Sequence, residues 1–91
     1  MAWCAQFFDR QGLALRHLSR PVVQARYSDP RPLLRLRRSL NGRVFGPYFE
    51  QGDDGPEAYW IWQASGETAQ AAALVLSRLL HRRREELQTL L

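Results

Sequence analysis

A chain of 91 residues, 45 % hydrophobic and carrying three Trp, three Tyr and four Phe, can bury one modest core. Residues 1–91 therefore read as a single domain, with a stability margin thin enough to favour a partner chain or a self-dimer. The lone Cys4 excludes an internal disulfide and a cysteine metal cluster, no apolar run is long enough to span a membrane, and the lack of a secretory leader pattern points to a reducing cytoplasm.

In chain order, the apolar and aromatic run Ala2 to Phe8 reads as a strand, Asp9-Arg10-Gln11-Gly12 as a turn, and the alternating Leu13 to Leu18 as its hairpin partner. Pro21 interrupts, and Val22 to Tyr27 predicts a third strand. Ser28-Asp29-Pro30-Arg31-Pro32 reads as a rigid connection, because two prolines remove two donors and push their predecessors toward extended geometry.

Asn41-Gly42 is the strongest local signal. Both residues tolerate positive φ, so the pair predicts a two-residue hairpin between Leu33 to Leu40 and Arg43 to Glu50, with Leu40 opposite Arg43. That register gathers Leu34, Leu36, Leu40, Phe45 and Phe49 on a core face and turns Arg35, Arg37 and Tyr48 to solvent. Pro47 cannot donate to a ladder, which places this second strand at an edge or bends it at Gly46-Pro47.

Gln51 to Pro56 reads as an acidic loop. Ala58 to Gln63 is the most β-prone run, apolar on both faces, and predicts a strand that is central or covered on both sides. Ser65 then caps a helix starting near Glu67, with Ala69, Ala72, Ala73, Leu76, Leu79, Leu80, Leu87 and Leu90 recurring at three and four. With no glycine or proline from Thr68 to Leu91, a single helix is expected. The resulting fold class is α+β: a four- to five-stranded, mostly antiparallel sheet followed by one long C-terminal helix packed on it.

The charge pattern points to a surface. All 13 basic residues are arginine, and nine of them lie between Arg10 and Arg43 beside a single acid, Asp29. Val44 to Glu67 carries five acids and no base, so the net charge of +4 conceals a split field that suits an anionic partner. Codon bias accounts for arginine over lysine but not for the clustering, and a planar guanidinium suits phosphate or carboxylate.

Constellations for catalysis are weak. His17 and His81 make no spaced metal pair, and Cys4 opposite His17 is the reach of the first hairpin, although a Cys between Trp3 and Ala5 is more simply a small buried side chain. Asp53, Asp54 and Glu57 match no ligand rhythm, and no phosphate loop or nucleophile elbow occurs. No enzyme, metal or cofactor is expected. Arg43 to Phe49 has a faint look of an RNA-recognition strand, but Pro47 is wrong for a central strand and the family's early helix is not expected, so no family follows.

The expected function is non-enzymatic nucleic-acid binding through an arginine-rich hairpin face: Arg26, Arg31, Arg35, Arg37, Arg38, Arg43 and Tyr48, with guanidinium groups on phosphates and a ring for stacking. The alternative is a protein-interaction module that docks on an acidic partner protein, lends its sheet edge, or self-dimerises.

Overall fold

The computed structural model describes residues 2–17, 19–79 and 87–91. The elements run α1 (Ala2–Gln11), β1 (Gly12–His17), β2 (Arg20–Tyr27), α2 (Pro30–Leu40), β3 (Arg43–Gly52), β4 (Gly55–Ser65) and α3 (Gly66–Leu79). The class is α+β with a four-stranded antiparallel sheet in the order β1-β2-β4-β3. Among the described residues three helical elements of ten residues or more accompany it, not one. They touch each other and the sheet, so the fold is one helical layer on one sheet face.

Two expected strands are helices, for the same reason. In α1, Cys4, Phe7 and Phe8 recur at three and four and are all buried. Their aromatic β-propensity is outweighed by a helical stripe that faces the core. The first hairpin is therefore β1 with β2, and Cys4 does not sit opposite His17.

In α2, the expected strand Leu33 to Leu40 is a helix with Leu33, Leu36 and Leu40 buried. Asp29 is its N-cap, with extended φ −129 and ψ 127, and its carboxylate accepts from the Arg31 backbone N–H at 2.9 Å. Pro30 occupies the first helical position, where its missing donor costs nothing. The 28–32 segment is thus a helix start. Leu34, expected in the core, is 38 % exposed.

Asn41 and Gly42 do take positive φ, at 61° and 91°. They end α2 instead of closing a hairpin, so Leu40 is not paired with Arg43. The Asn41 N–H donates back to the Arg37 carbonyl at 2.9 Å, and the Asn41 carbonyl accepts from the indole Nε1 of Trp62 at 2.7 Å. A β-carbon on Gly42 would lie 2.7 Å from the Gln63 carbonyl oxygen and 2.8 Å from that indole nitrogen, so both its φ and its surroundings demand glycine.

The hairpin that does form here is β3 with β4, closed by Asp53-Asp54 between the paired Gly52 and Gly55. The acidic loop is its tip. β3 is an edge strand, as Pro47 implies, and its register slips between Phe45 and Tyr48 so that Gly46 and Pro47 together oppose Trp60. β4 is central, as its composition implies.

The core lies between the layers. Val23 and Ala25 of β2 and Trp62 and Ala64 of β4 meet Phe8, Leu33, Leu36, Ala69, Ala73 and Leu76 from the helices. Small residues at Ala69, Ala72 and Ala73 let α3 approach the sheet closely. Leu79 is 44 % exposed, contrary to its place in the expected stripe, whereas Leu87 and Leu90 are buried. The Gln70 side-chain amide donates to the Leu90 carbonyl at 3.3 Å. One continuous helix would hold those residues roughly 30 Å apart, so a single helix to Leu91 is excluded. Leu18, Leu80 and His81 fall outside the described residues, as does the basic run 82–84. No described helix is long and apolar enough to cross a membrane.

Candidate nucleic-acid interface

Side chains alternate across a strand, so the face opposite the helices follows from the register. Ala25, Trp62 and Val44 are cross-strand partners on the helix side. Their chain neighbours therefore project from the other face, which the helical layer leaves uncovered.

Four rows cross that face. The first is Leu13, Gln24, Gln63 and Arg43, one residue from each strand. The second is Arg26, Ile61 and Phe45. The third is Tyr59 with Tyr48, ring centroids 5.6 Å apart and tilted by 34°. The fourth is Glu57 with Glu50, beside the acidic tip. The register slip at Gly46-Pro47 is what returns Tyr48 and Glu50 to the same face as Arg43 and Phe45. Without it, Tyr48 would point to the helices.

The structure divides the expected site. Arg26, Arg43 and Tyr48 share the open sheet face. Arg31, Arg35, Arg37 and Arg38 are exposed on α2, in the helical layer, and do not join them. No single arginine hairpin face exists, because 30–40 is helical.

Several of these cations already have partners. Arg31 forms a two-pronged pair with Asp29, at 3.0 Å from Nε and 2.6 Å from Nη2 to Oδ2. The Arg31 side chain holds the Asp29 carboxyl below its ordinary range, and the backbone N–H of Arg31 lowers it further. The Arg35 guanidinium sits over the Trp3 ring, 4.1 Å from its centre. Arg26 is ion-paired with Glu50 and lies over the Tyr59 ring at 3.7 Å. The hydrogen bond that the Arg26 guanidinium donates to the Glu50 carboxylate raises the Arg26 pKa. Arg43 is exposed with no ion pair among the described residues, and borders a shallow cavity of about 440 Å³ with Gln63 and Thr68.

Gln24, Gln63, Tyr59 and Phe45 were missed as site residues. The signal was the alternation of Gln24 and Arg26 with buried Val23 and Ala25, and of Tyr59, Ile61 and Gln63 with Trp62. Arg20 also belongs with this face by parity, and its guanidinium lies 3.2 Å from where a Gly66 side chain would begin.

Among the described residues no group of three His, Cys, Asp or Glu is placed to hold a metal ion. No protein-family model, curated protein or solved structure matches the chain.

Proposed function

We propose that this chain binds nucleic acid through its open sheet face, and that the preferred form is a duplex. The row Arg43, Gln63 and Gln24 carries the reading. Gln and Arg are the side chains whose paired donors and acceptors match adenine and guanine edges in a major groove, and arginine at a rim holds phosphate. A major groove about 12 Å wide admits a two-stranded ribbon, and Gln63 and Arg43 are cross-strand partners on the adjacent strands β4 and β3, with Gln24 of β2 beside them.

The ring arrangement favours a duplex over a single strand. A base-stacking platform needs an open ring face. Tyr59 already lies under Arg26 and against Tyr48, so the ring at the centre of the face is internally engaged and exposed Phe45 and Tyr48 stand at its β3 edge. The four exposed arginines of α2 act at longer range, raising the local concentration of a polyanion.

Fluorescence anisotropy with a random-sequence duplex tests the reading. Binding is expected at 50 mM salt and weakens as salt rises, and Arg43→Ala flattens the plot of log K against log salt by about 0.9 as one phosphate contact is lost. Gln63→Ala leaves that slope unchanged but relaxes sequence preference, by about 1–3 kcal/mol at one base pair. No binding to any duplex at 50 mM salt refutes the proposal, and tighter binding to oligo-dT than to duplex refutes its choice of duplex.

One observation favours an interaction module as the second reading. The edge strand β3 leaves Phe45, Tyr48 and Phe49 at 38 %, 43 % and 68 % exposure, a run that suits a partner strand or a second copy. A light-scattering mass near twice 10.6 kDa supports self-association, and a strict monomer at high concentration removes it.

A further inference from the structure

Arg26 differs from Arg43 in one respect that matters to any anion approaching the open face. Its guanidinium is already claimed. It reaches from β2 across β4, passes over the Tyr59 ring at 3.7 Å, and ends in an ion pair with Glu50 of β3. Tyr48 props Tyr59 from the β3 side. Both charged side chains remain about half exposed, at 48 % and 50 %, so the pair sits on the binding surface itself.

A phosphate that seeks Arg26 meets a cation already neutralised by Glu50, and must displace that carboxylate or bind the remaining N–H donors beside it. The carboxylate cannot leave the neighbourhood, because the register of β3 holds Glu50 on the same face, opposite Glu57. It stays as a fixed like charge beside the incoming phosphate.

We propose that Glu50 is a specificity-determining residue that latches Arg26 against sequence-independent phosphate contact. The inference rests on the nucleic-acid reading and adds a regulation of that same face. The latch lowers the baseline of generic polyanion binding and leaves base-edge contacts from Gln24 and Gln63 to carry a larger share of discrimination. Specificity is a difference of affinities, and an unfavourable contact with the wrong ligand contributes to it as fully as a favourable contact with the right one.

A double-mutant cycle read by salt dependence tests this. Anisotropy titrations on a random-sequence duplex compare wild type, Glu50→Gln, Arg26→Ala, the double variant and Glu57→Gln. Thermal melts confirm that each is folded. Glu50→Gln steepens the salt slope by about 0.9, one phosphate contact, and tightens binding on the order of tenfold at 50 mM salt. Arg26→Ala alone changes the slope little, because Arg26 is already occupied. In the double variant the added slope disappears.

Glu57→Gln is the control. It removes the same formal charge from the neighbouring position, where the described residues offer no ion pair to release, and its slope matches wild type. An equal steepening in Glu57→Gln shows an effect of net charge and overturns the latch. A full-unit loss of slope in Arg26→Ala alone, or an unchanged slope in Glu50→Gln, overturns it too. If neither wild type nor Glu50→Gln binds duplex, the nucleic-acid reading falls and the latch with it, whereas binding with unaltered slopes removes the latch alone.

Discussion

Leu33 and Leu34 are chain neighbours with opposite fates, and truncating each to alanine measures the packing of α2. Leu33 is fully buried against the sheet, whereas Leu34 is 38 % exposed on the outer flank of the helix. Leu33→Ala removes buried methyl and methylene groups and leaves a cavity in the core cluster to which Leu36 and Trp62 also belong. Such a change costs about 2.7–5 kcal/mol. Leu34→Ala forfeits only part of its transfer energy at about 0.8 kcal/mol per buried CH₂, and water fills the vacated space, so about 1 kcal/mol is lost. Against a total stability of roughly 5–14 kcal/mol for a chain of this length, the first change is severe and the second mild. At about 4–8 °C per kcal/mol for a domain of this size, Tm falls by at least about 11 °C for Leu33→Ala and by less than about 8 °C for Leu34→Ala. Thermal melts by circular dichroism, with urea titrations followed by tryptophan fluorescence, to which buried Trp62 contributes, provide the comparison. A Leu34→Ala variant as destabilised as Leu33→Ala would show that α2 does not present its 33, 36 and 40 face to the core, and the architecture derived above would be wrong.

Two further outcomes follow from the caps of the same helix. Gly42→Ala forces a side chain into positive φ and against the Gln63 carbonyl and the Trp62 indole, so a loss of about 2 kcal/mol or more is expected by urea unfolding, and a loss under about 0.5 kcal/mol contradicts the cap geometry. Asp29→Asn keeps a capping acceptor but removes the charge facing Arg31. Because the folded-state pKa of Asp29 is lowered, the stability due to its charge is full above the ordinary carboxylate range near ~4 and disappears as pH falls through the lower, folded value. The Tm gap between wild type and Asp29→Asn is therefore expected at pH 6 and closes in strong acid. A gap that persists unchanged at the lowest pH contradicts the ion pair.

The places where sequence reasoning succeeded and failed have a common physical origin. Leu36 and Leu40 lie on the core face of both a strand and a helix, so only Leu33 and Leu34 distinguish the two periods across 33–40. The Asn41-Gly42 dipeptide demands positive φ, which holds at 61° and 91°, but the same backbone serves a hairpin turn and a helix end. Asp29-Pro30 was the arbiter, since a carboxylate followed by proline is a helix start. At the other end, Pro47 and the dense β-prone run 58–63 led correctly to an edge strand and a central strand. The arginine surface failed as a unit because its members were assigned through the mistaken pairing. Arg26, Arg43 and Tyr48 nonetheless share a face, through strand parity and the register slip at Gly46-Pro47, where the sequence signals an edge or a bend but not which face Tyr48 then takes.

The strand order has a consequence for how the molecule comes into being. β4, the last strand in the chain, lies between β2 and β3. Until residues 55–65 leave the ribosome, the two strands destined to flank them lack the partner that joins them, since in the finished sheet they lie two inter-strand spacings apart, about 10 Å. The keystone is synthesised after the arch it completes. Cooperative assembly during translation thus waits for Trp62, which closes the sheet, seats the interior and ties off the end of α2 through its bond to Asn41.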